Sequence, residues 1–130
     1  MFFSAPQLKR DPLGRPHGLL LNILRWFRLR FGKSPQQPAG LIGVLLDTNA
    51  PEGDRDDAAM DLGKYDDPAA EAALRQVGSD ARTPEVIADS CGDSLGEIWA
   101  RQGRSDLSLL DGLTPPARVI AAAHIESTKR

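Results

Sequence analysis

The sequence is poor in cysteine and in aromatic residues. Of its 130 residues only Cys91 is a cysteine, so no disulfide can form within the chain. Aromatic residues make up 5% of the sequence, and no series of regularly spaced short strands is present. The length suits one folded domain, and nothing in it requires an oxidising compartment. We therefore predict an all-α domain in the cytoplasm.

Long hydrophobic runs are also absent. The longest apolar cluster near the start, GLLLNILRWF, is interrupted by Asn22 and Arg25. It is too short for a membrane span, and it lacks the cleavage site of small residues that a signal peptide carries. We therefore expect no export.

The motifs of catalysis and cofactor binding are missing as well. No Walker loop and no G-x-G-x-x-G motif occurs, and the acidic stretch EGDRDDAAMD lacks the ligand spacing of a calcium loop. Neither His17 nor His124 lies near a Ser, a Cys or a carboxylate at a spacing typical of a triad or a metal site. Cys91 falls on an apolar helix face, where a thiol is a small buried hydrophobe. We predict no enzyme activity, no catalytic residue, no cofactor and no metal.

Positive charge is concentrated in the first quarter of the chain. Residues 1 to 33 hold seven Lys or Arg against Asp11, whereas residues 47 to 130 hold nine against seventeen Asp or Glu. A basic arm on an acidic body can bind an acidic partner or fold back on the body. We predict a basic arm with a Pro-rich linker over residues 1 to 37 and a helical domain over residues 38 to 130.

One amphipathic helix is predicted in the arm, over residues 19 to 31, where apolar residues recur at spacings of three and four. Its aromatic rings and guanidinium groups suit an anionic membrane surface or an acidic partner. Nucleic acid is a poorer match, because one short helix with an acidic domain behind it is a small footprint. The simplest interpretation is a helix that packs on the domain or lies in disordered sequence before it. The residues concerned are Arg25, Trp26, Phe27, Arg28 and Arg30.

The domain begins with the apolar run AGLIGVLLD, residues 39 to 47, which is compatible with a buried strand or a short buried helix. We favour a helix because the sequence after it is helical. Asp54 is a candidate N-cap for a helix that reaches about residue 64. Its inward residues are predicted to be Ala58, Leu62 and Tyr65.

The stretch LGKYDDP, residues 62 to 68, joins two helices. Gly63 removes a side chain where the first helix ends, Asp67 can cap the second helix, and Pro68 suits its first position. The second helix is predicted to end at Val77 before Gly78. These signals predict a helical hairpin. Its second helix would pack through Ala70, Ala73, Leu74 and Val77.

The same scheme recurs about 33 residues later. Thr83 and Pro84 repeat the cap and proline, and Leu95-Gly96-Glu97 matches Leu62-Gly63-Lys64 at that offset. Ser105 is a candidate cap for a short helix, and Thr114 with Pro115 starts the last one. Further pattern residues are Ile87, Cys91, Leu95 and Ile98 in the long helix, Leu107 and Leu110 in the short one, and Val119, Ile120 and Ala123 as the inward side of the last.

The run AAMDLGKYDDPAAEAAL, residues 58 to 74, resembles one repeat of the short HEAT-like family found in bilin lyases and small bacterial proteins. The second copy, from SLGEIW to DLSLLDGL, lacks the Asp-Pro pair and has Ala100 and Arg101 there. The resemblance covers about residues 54 to 126. It implies a small right-handed solenoid of helical hairpins, about two HEAT-like repeats with capping helices, that presents a curved surface to a partner protein.

The function implied is a non-enzymatic protein-protein interaction module, for example an immunity-type or adaptor protein. The alternative is a peripheral membrane adaptor anchored by residues 19 to 31, and a third hypothesis is an enzyme or enzyme subunit related to bilin lyases. Trp99 is either a core residue or an aromatic anchor, with the core favoured. The predicted partner surface consists of Glu71, Arg75, Gln76, Arg101 and Arg104.

The membrane hypothesis predicts that the basic arm is needed for lipid binding. The full chain and a chain lacking residues 1 to 33 are compared by flotation with anionic liposomes, and only the full chain is expected to float, because guanidinium groups and aromatic rings anchor it. If both forms stay in solution, the adaptor hypothesis is wrong.

Overall fold

The computed structural model describes residues 37 to 129, and within that range every regular element is helical. The all-α prediction is therefore confirmed. The elements are α1 (Pro38–Leu46), α2 (Glu52–Leu62), α3 (Pro68–Gly78), α4 (Glu85–Arg101), a 3-10 helix (Leu107–Leu110) and α5 (Pro115–Thr128).

The apolar run after the Pro-rich linker forms α1, as predicted. Pro38 occupies its first turn, where the missing N–H has no helical partner. Leu41, Val44 and Leu45 are buried at spacings of three and one, so one side of this short helix enters the core. The apolar pattern of this run is compatible with a helix or a strand. In the structure the run is a helix that packs against α2 and α3.

The predicted junction between α2 and α3 is confirmed in its capping. The carboxylate of Asp67 accepts a hydrogen bond of 2.8 Å from the N–H of Ala69, and Pro68 is the first residue of α3. The four residues predicted to face inward on α3, Ala70, Ala73, Leu74 and Val77, are all buried. The sequence thus marked the start and the inner face of α3 by local chemistry.

Three other predicted caps are wrong. The helix α2 begins at Glu52 after Pro51, so Asp54 lies in its first turn and does not cap it. The hydroxyl of Thr83 donates to the carbonyl oxygen of Val77, 2.8 Å away, and α4 begins at Glu85 after Pro84. Asp106 caps the 3-10 helix in place of Ser105, because its carboxylate accepts from the N–H of Ser108.

Burial at positions 33 residues apart agrees between α2 and α4 and differs between α3 and the 3-10 helix. Leu95 is buried like Leu62, and Ile87, Cys91 and Ile98 complete the predicted inner face of α4. Leu107, in contrast, is 53% exposed where its counterpart Leu74 is buried. A single 3-10 turn of four residues has no continuous apolar face to bury.

The long helix α4 lies at the centre of the described fold. It packs against α2, α3 and α5, whereas α2 and α3 touch each other sparsely. The two helices of the predicted hairpin, α2 and α3, therefore contact α4 more extensively than they contact each other. The helices α2 and α4 run in the same direction. Asp56 accepts a hydrogen bond from the hydroxyl of Ser90, and further along both helices Gly63 lies against Glu97.

The helix α5 also runs in the direction of α4. Gly92 lies against Ala117, and Gly96 lies against His124. The later residue of α4 thus contacts the later residue of α5, as expected for two helices that run in the same direction. The helices α2 and α5 thus both contact α4 and run in its direction, and the intervening segments return the chain between them. The 3-10 helix packs against α5, and α1 packs against α2 and α3.

The predicted inner face of α5 is wrong. Val119 is 68% exposed, Ala123 is exposed and Ile120 is only part-buried, whereas the buried residues are Ala117, Ala121 and Ile125. The sequence of α5 carries apolar residues on two sides, so its pattern alone does not select one. The side with Ala117 and Ala121 faces α4, because Gly92 lets the α4 backbone approach the α5 backbone closely at Ala117.

The contact at Gly92 predicts a large effect of one methyl group. A Cβ at this position would lie 2.3 Å from the carbonyl oxygen of Ala117 and 2.8 Å from its Cα. Gly92→Ala is therefore expected to lower the free energy of unfolding by about 1 to 3 kcal/mol through overpacking, as measured by urea denaturation.

The matched control is Gly43, which lies in the middle of α1 with open space around the Cβ position. Gly43→Ala is expected to raise the free energy of unfolding by about 0.5 to 1 kcal/mol, because alanine loses less backbone entropy in a helix. Equal effects of the two substitutions would contradict the close approach of α4 and α5.

Candidate functional site

Trp99, near the end of α4, is a fully buried residue with a polar contact. Its indole Nε1 donates to the carboxylate of Glu71 on α3, over 3.0 Å. The guanidinium carbon of Arg75, one turn further along α3, lies 5.3 Å from the centre of the indole ring. The core alternative for Trp99 is therefore confirmed, and the residue holds two charged side chains in place.

Arg104 completes this group from the segment after α4. It donates to both carboxylate oxygens of Glu71, at 2.9 and 3.2 Å, and to the side-chain oxygen of Gln102 at 2.9 Å. Such a paired contact between guanidinium and carboxylate fixes orientation as well as distance. We call Glu71, Arg75, Trp99 and Arg104 the Trp99 cluster.

The charge on Glu71 is set by opposing effects. Partial burial alone would raise the pKa of Glu71, but hydrogen bonds from Arg104 and Trp99, with the nearby charges of Arg104 and Arg75, outweigh it and leave the pKa below its ordinary value. The carboxylate is thus ionised at neutral pH and anchors the two arginines.

A second ion pair lies beside the cluster. The guanidinium of Arg101 donates to one carboxylate oxygen of Asp66 at 3.0 and 3.2 Å, and the amide of Gln102 reaches the same oxygen at 3.3 Å. The hydrogen bonds from Arg101 are the main reason that the pKa of Asp66 is lowered. Gln102 thus contacts both groups, since it also accepts from Arg104.

The residues of the predicted partner surface are therefore mostly brought together. Glu71, Arg75 and Arg104 meet at Trp99, Arg101 pairs next to them, and Gln76 is exposed on α3 after Arg75. Sequence reasoning missed the role of Asp66. Its partner Arg101 lies 35 residues away, and no local pattern signals such a contact.

The thiol of Cys91 is buried in the core, and the ring of His124 contacts a carboxylate. Cys91 is fully buried, and burial is the main cause that raises the pKa of its thiol to about 12, so the reactive thiolate is scarce. His124 lies near one carboxylate: its Nε2 is 2.7 Å from an oxygen of Asp93, 31 residues earlier in the sequence. The hydroxyl of Ser127 donates to the backbone oxygen of His124, away from the ring.

Residues 37 to 129 contain neither a metal-binding group nor a membrane-spanning helix. No group of three or more His, Cys, Asp or Glu between residues 37 and 129 is placed to hold a metal ion. Among the helices described, none combines the length and apolar character that crossing a bilayer requires. The predicted membrane contacts, Arg25, Trp26, Phe27, Arg28 and Arg30, and also His17, lie outside the described residues.

Comparison of the chain with protein-family models gives no match, and neither do comparisons with curated proteins and with solved structures. The resemblance to HEAT-like repeats consequently stays a prediction, and the geometry of the described residues carries the functional argument.

The lowered pKa of Glu71 predicts a pH dependence of stability. A carboxyl group whose pKa is lower in the folded state stabilises the fold above its unfolded pKa, and this contribution is lost as the pH falls through the folded value. Wild type is expected to be more stable than Glu71→Gln by about 1 kcal/mol at pH 7, and the difference should shrink once the pH falls below about 4.5.

The measurement is urea denaturation followed by Trp fluorescence between pH 7 and pH 3. The matched control is Glu85→Gln at the start of α4, about 21 Å from Trp99 along the helix. A difference between wild type and Glu71→Gln that stays constant with pH would show that Glu71 does not titrate within the cluster.

Proposed function

We propose that this chain is a non-enzymatic protein-protein interaction module built as a short stack of about two HEAT-like repeats. Support comes from the parallel course of α2, α4 and α5, with return segments between them. In stacked repeats each unit contacts its neighbour, and equivalent positions recur at the repeat length.

The two glycines at the 33-residue offset occupy matching places, which supports the stacking. A Cβ on Gly63 would lie 2.6 Å from the carboxylate of Glu97 and 2.7 Å from the hydroxyl of Ser94, both on α4. A Cβ on Gly96 would lie 2.4 Å from the ring of His124 on α5. Each glycine thus sits where a helix meets the next parallel helix.

The Trp99 cluster and the neighbouring pair of Arg101 and Asp66 are proposed as the partner surface. The observation that carries this proposal is that Glu71 holds Arg104 by two hydrogen bonds while Trp99 supports Arg75. A long arginine normally loses rotamer freedom when it binds a partner, and ordering it beforehand reduces that cost. Arginine and buried aromatic anchors are enriched among the residues that dominate binding energies.

The chemistry of this surface suits a partner that offers carboxylates. The side chains of Arg101 and Arg104 are each 41% exposed. Some of their N–H groups therefore face solvent, where they can donate to a carboxylate of a partner. A guanidinium group has five N–H donors and recognises planar carboxylates in pairs.

The proposal predicts that removing the two exposed arginines abolishes partner capture. The full chain and the double variant Arg101→Ala with Arg104→Ala are immobilised, and proteins retained from native lysate are quantified by mass spectrometry. Loss of these anchors is expected to reduce the stoichiometric partner about tenfold or more.

The control variant is Arg82→Ala. The side chain of Arg82 is 91% exposed and pairs with Asp80, two residues away, outside the cluster. It should retain the partner at the wild-type level. Equal recovery by all three proteins, or no stoichiometric partner with wild type, would count against the proposed function.

A further inference from the structure

The exposed side of α5 forms a shallow groove with α4. It has a volume of about 330 Å³ and is lined by Asp93 from α4 and by Val119, Ile120, Ala123, His124 and Ser127 from α5. We call it the α4–α5 groove. Its floor is mostly apolar, and Val119 is 68% exposed, the largest exposure among the large apolar residues described.

The apolar residues of the groove do not contribute to the buried core. Ala117, Ala121 and Ile125 already supply the buried side of α5. Val119 and Ala123 lie one turn apart on the opposite side, and Ile120 flanks them, so they form a continuous strip along the helix. A strip of this kind on a surface marks a place of contact when polar groups border it.

The border on α4 is acidic. Asp89, Asp93 and Glu97 recur every four residues and so share one stripe of α4. Asp93 lines the groove, whereas the carboxylate of Glu97 is directed toward Gly63 at the end of α2. Asp93 is paired with His124 at the groove floor, 2.7 Å away.

We propose that the α4–α5 groove binds a cationic amphipathic helix of a protein partner. Apolar residues on one face of such a helix, spaced by three or four, would cover Val119, Ile120 and Ala123, and lysine or arginine on the flank would meet the carboxylates of α4. The groove is a different surface from the Trp99 cluster, since Asp93 faces solvent while Trp99 is buried on another side of α4.

Charge selects this occupant over the alternatives. Nucleic acid and anionic membranes carry phosphates, which a line of carboxylates repels. An acidic peptide is disfavoured for the same reason. A small apolar molecule would find little enclosure, because the groove is open to solvent along its length.

The test uses the full chain and a fluorescein-labelled peptide of leucine and lysine, about 18 residues long and patterned as an amphipathic helix. Fluorescence anisotropy gives its Kd. Val119→Ser is expected to weaken binding about tenfold, because the largest exposed apolar contact is lost. The double variant Asp89→Asn with Asp93→Asn is expected to weaken it by a similar factor and to reduce its dependence on salt.

The matched control variant is Leu107→Ser, which removes a residue of similar exposure, 53%, from the 3-10 helix outside the groove. It should leave the Kd unchanged. Two control peptides separate the contributions: one has glutamate at every lysine position, and the other has the same composition in a scrambled order without an apolar face.

The inference stands if the cationic amphipathic peptide binds most tightly and only the groove variants weaken it. It is overturned if the peptide fails to bind, if either control peptide binds equally well, or if Leu107→Ser has the effect of Val119→Ser. The arginines of the Trp99 cluster take no part in this assay, so its failure leaves the proposed function to its own test.

Discussion

The close packing of α4 against its neighbours governs the rest of the described structure. Gly92 and Gly96 present bare backbone to α5, and Gly63 presents the same to α4. Helices that approach through glycine and alanine bury little area per residue but pack at high density. Their separation tolerates no added atoms, and consequently the rotation of α5 and the residues it leaves to solvent are set by these contacts.

Two kinds of surface result from this arrangement. At the end of α4 a buried indole and the carboxylate of Glu71 hold two arginines, Arg75 and Arg104. Along α4 and α5 an apolar strip lies beside Asp93, which belongs to an acidic stripe of α4. The first surface suits acidic groups of a partner, and the second suits basic ones. A small helical body can in this way present two chemically opposite faces while its core consists mainly of aliphatic side chains.

Local signals in the sequence were sufficient for part of the fold and insufficient for the rest. Asp67 and Pro68 mark the start of α3 through capping chemistry that involves only adjacent residues. Thr83 has the same local signature, yet its hydroxyl bonds to the carbonyl of Val77, six residues earlier. The candidate site shows the same division. Glu71 and Arg75 are neighbours on one helix, but their common support, Trp99, comes from another.

The sequence by itself determined that the regular elements of residues 38 to 128 are helical, where α3 begins, and the main apolar residues that α3 and α4 bury, because capping and apolar spacing act within a few residues. The tertiary structure decided which of two apolar sides of α5 enters the core, the pairing of Asp66 with Arg101, and the contact of His124 with Asp93. The physical reason is that these contacts join residues about thirty positions apart. Their free energy depends on the distance and rotation of packed helices, which no local pattern encodes.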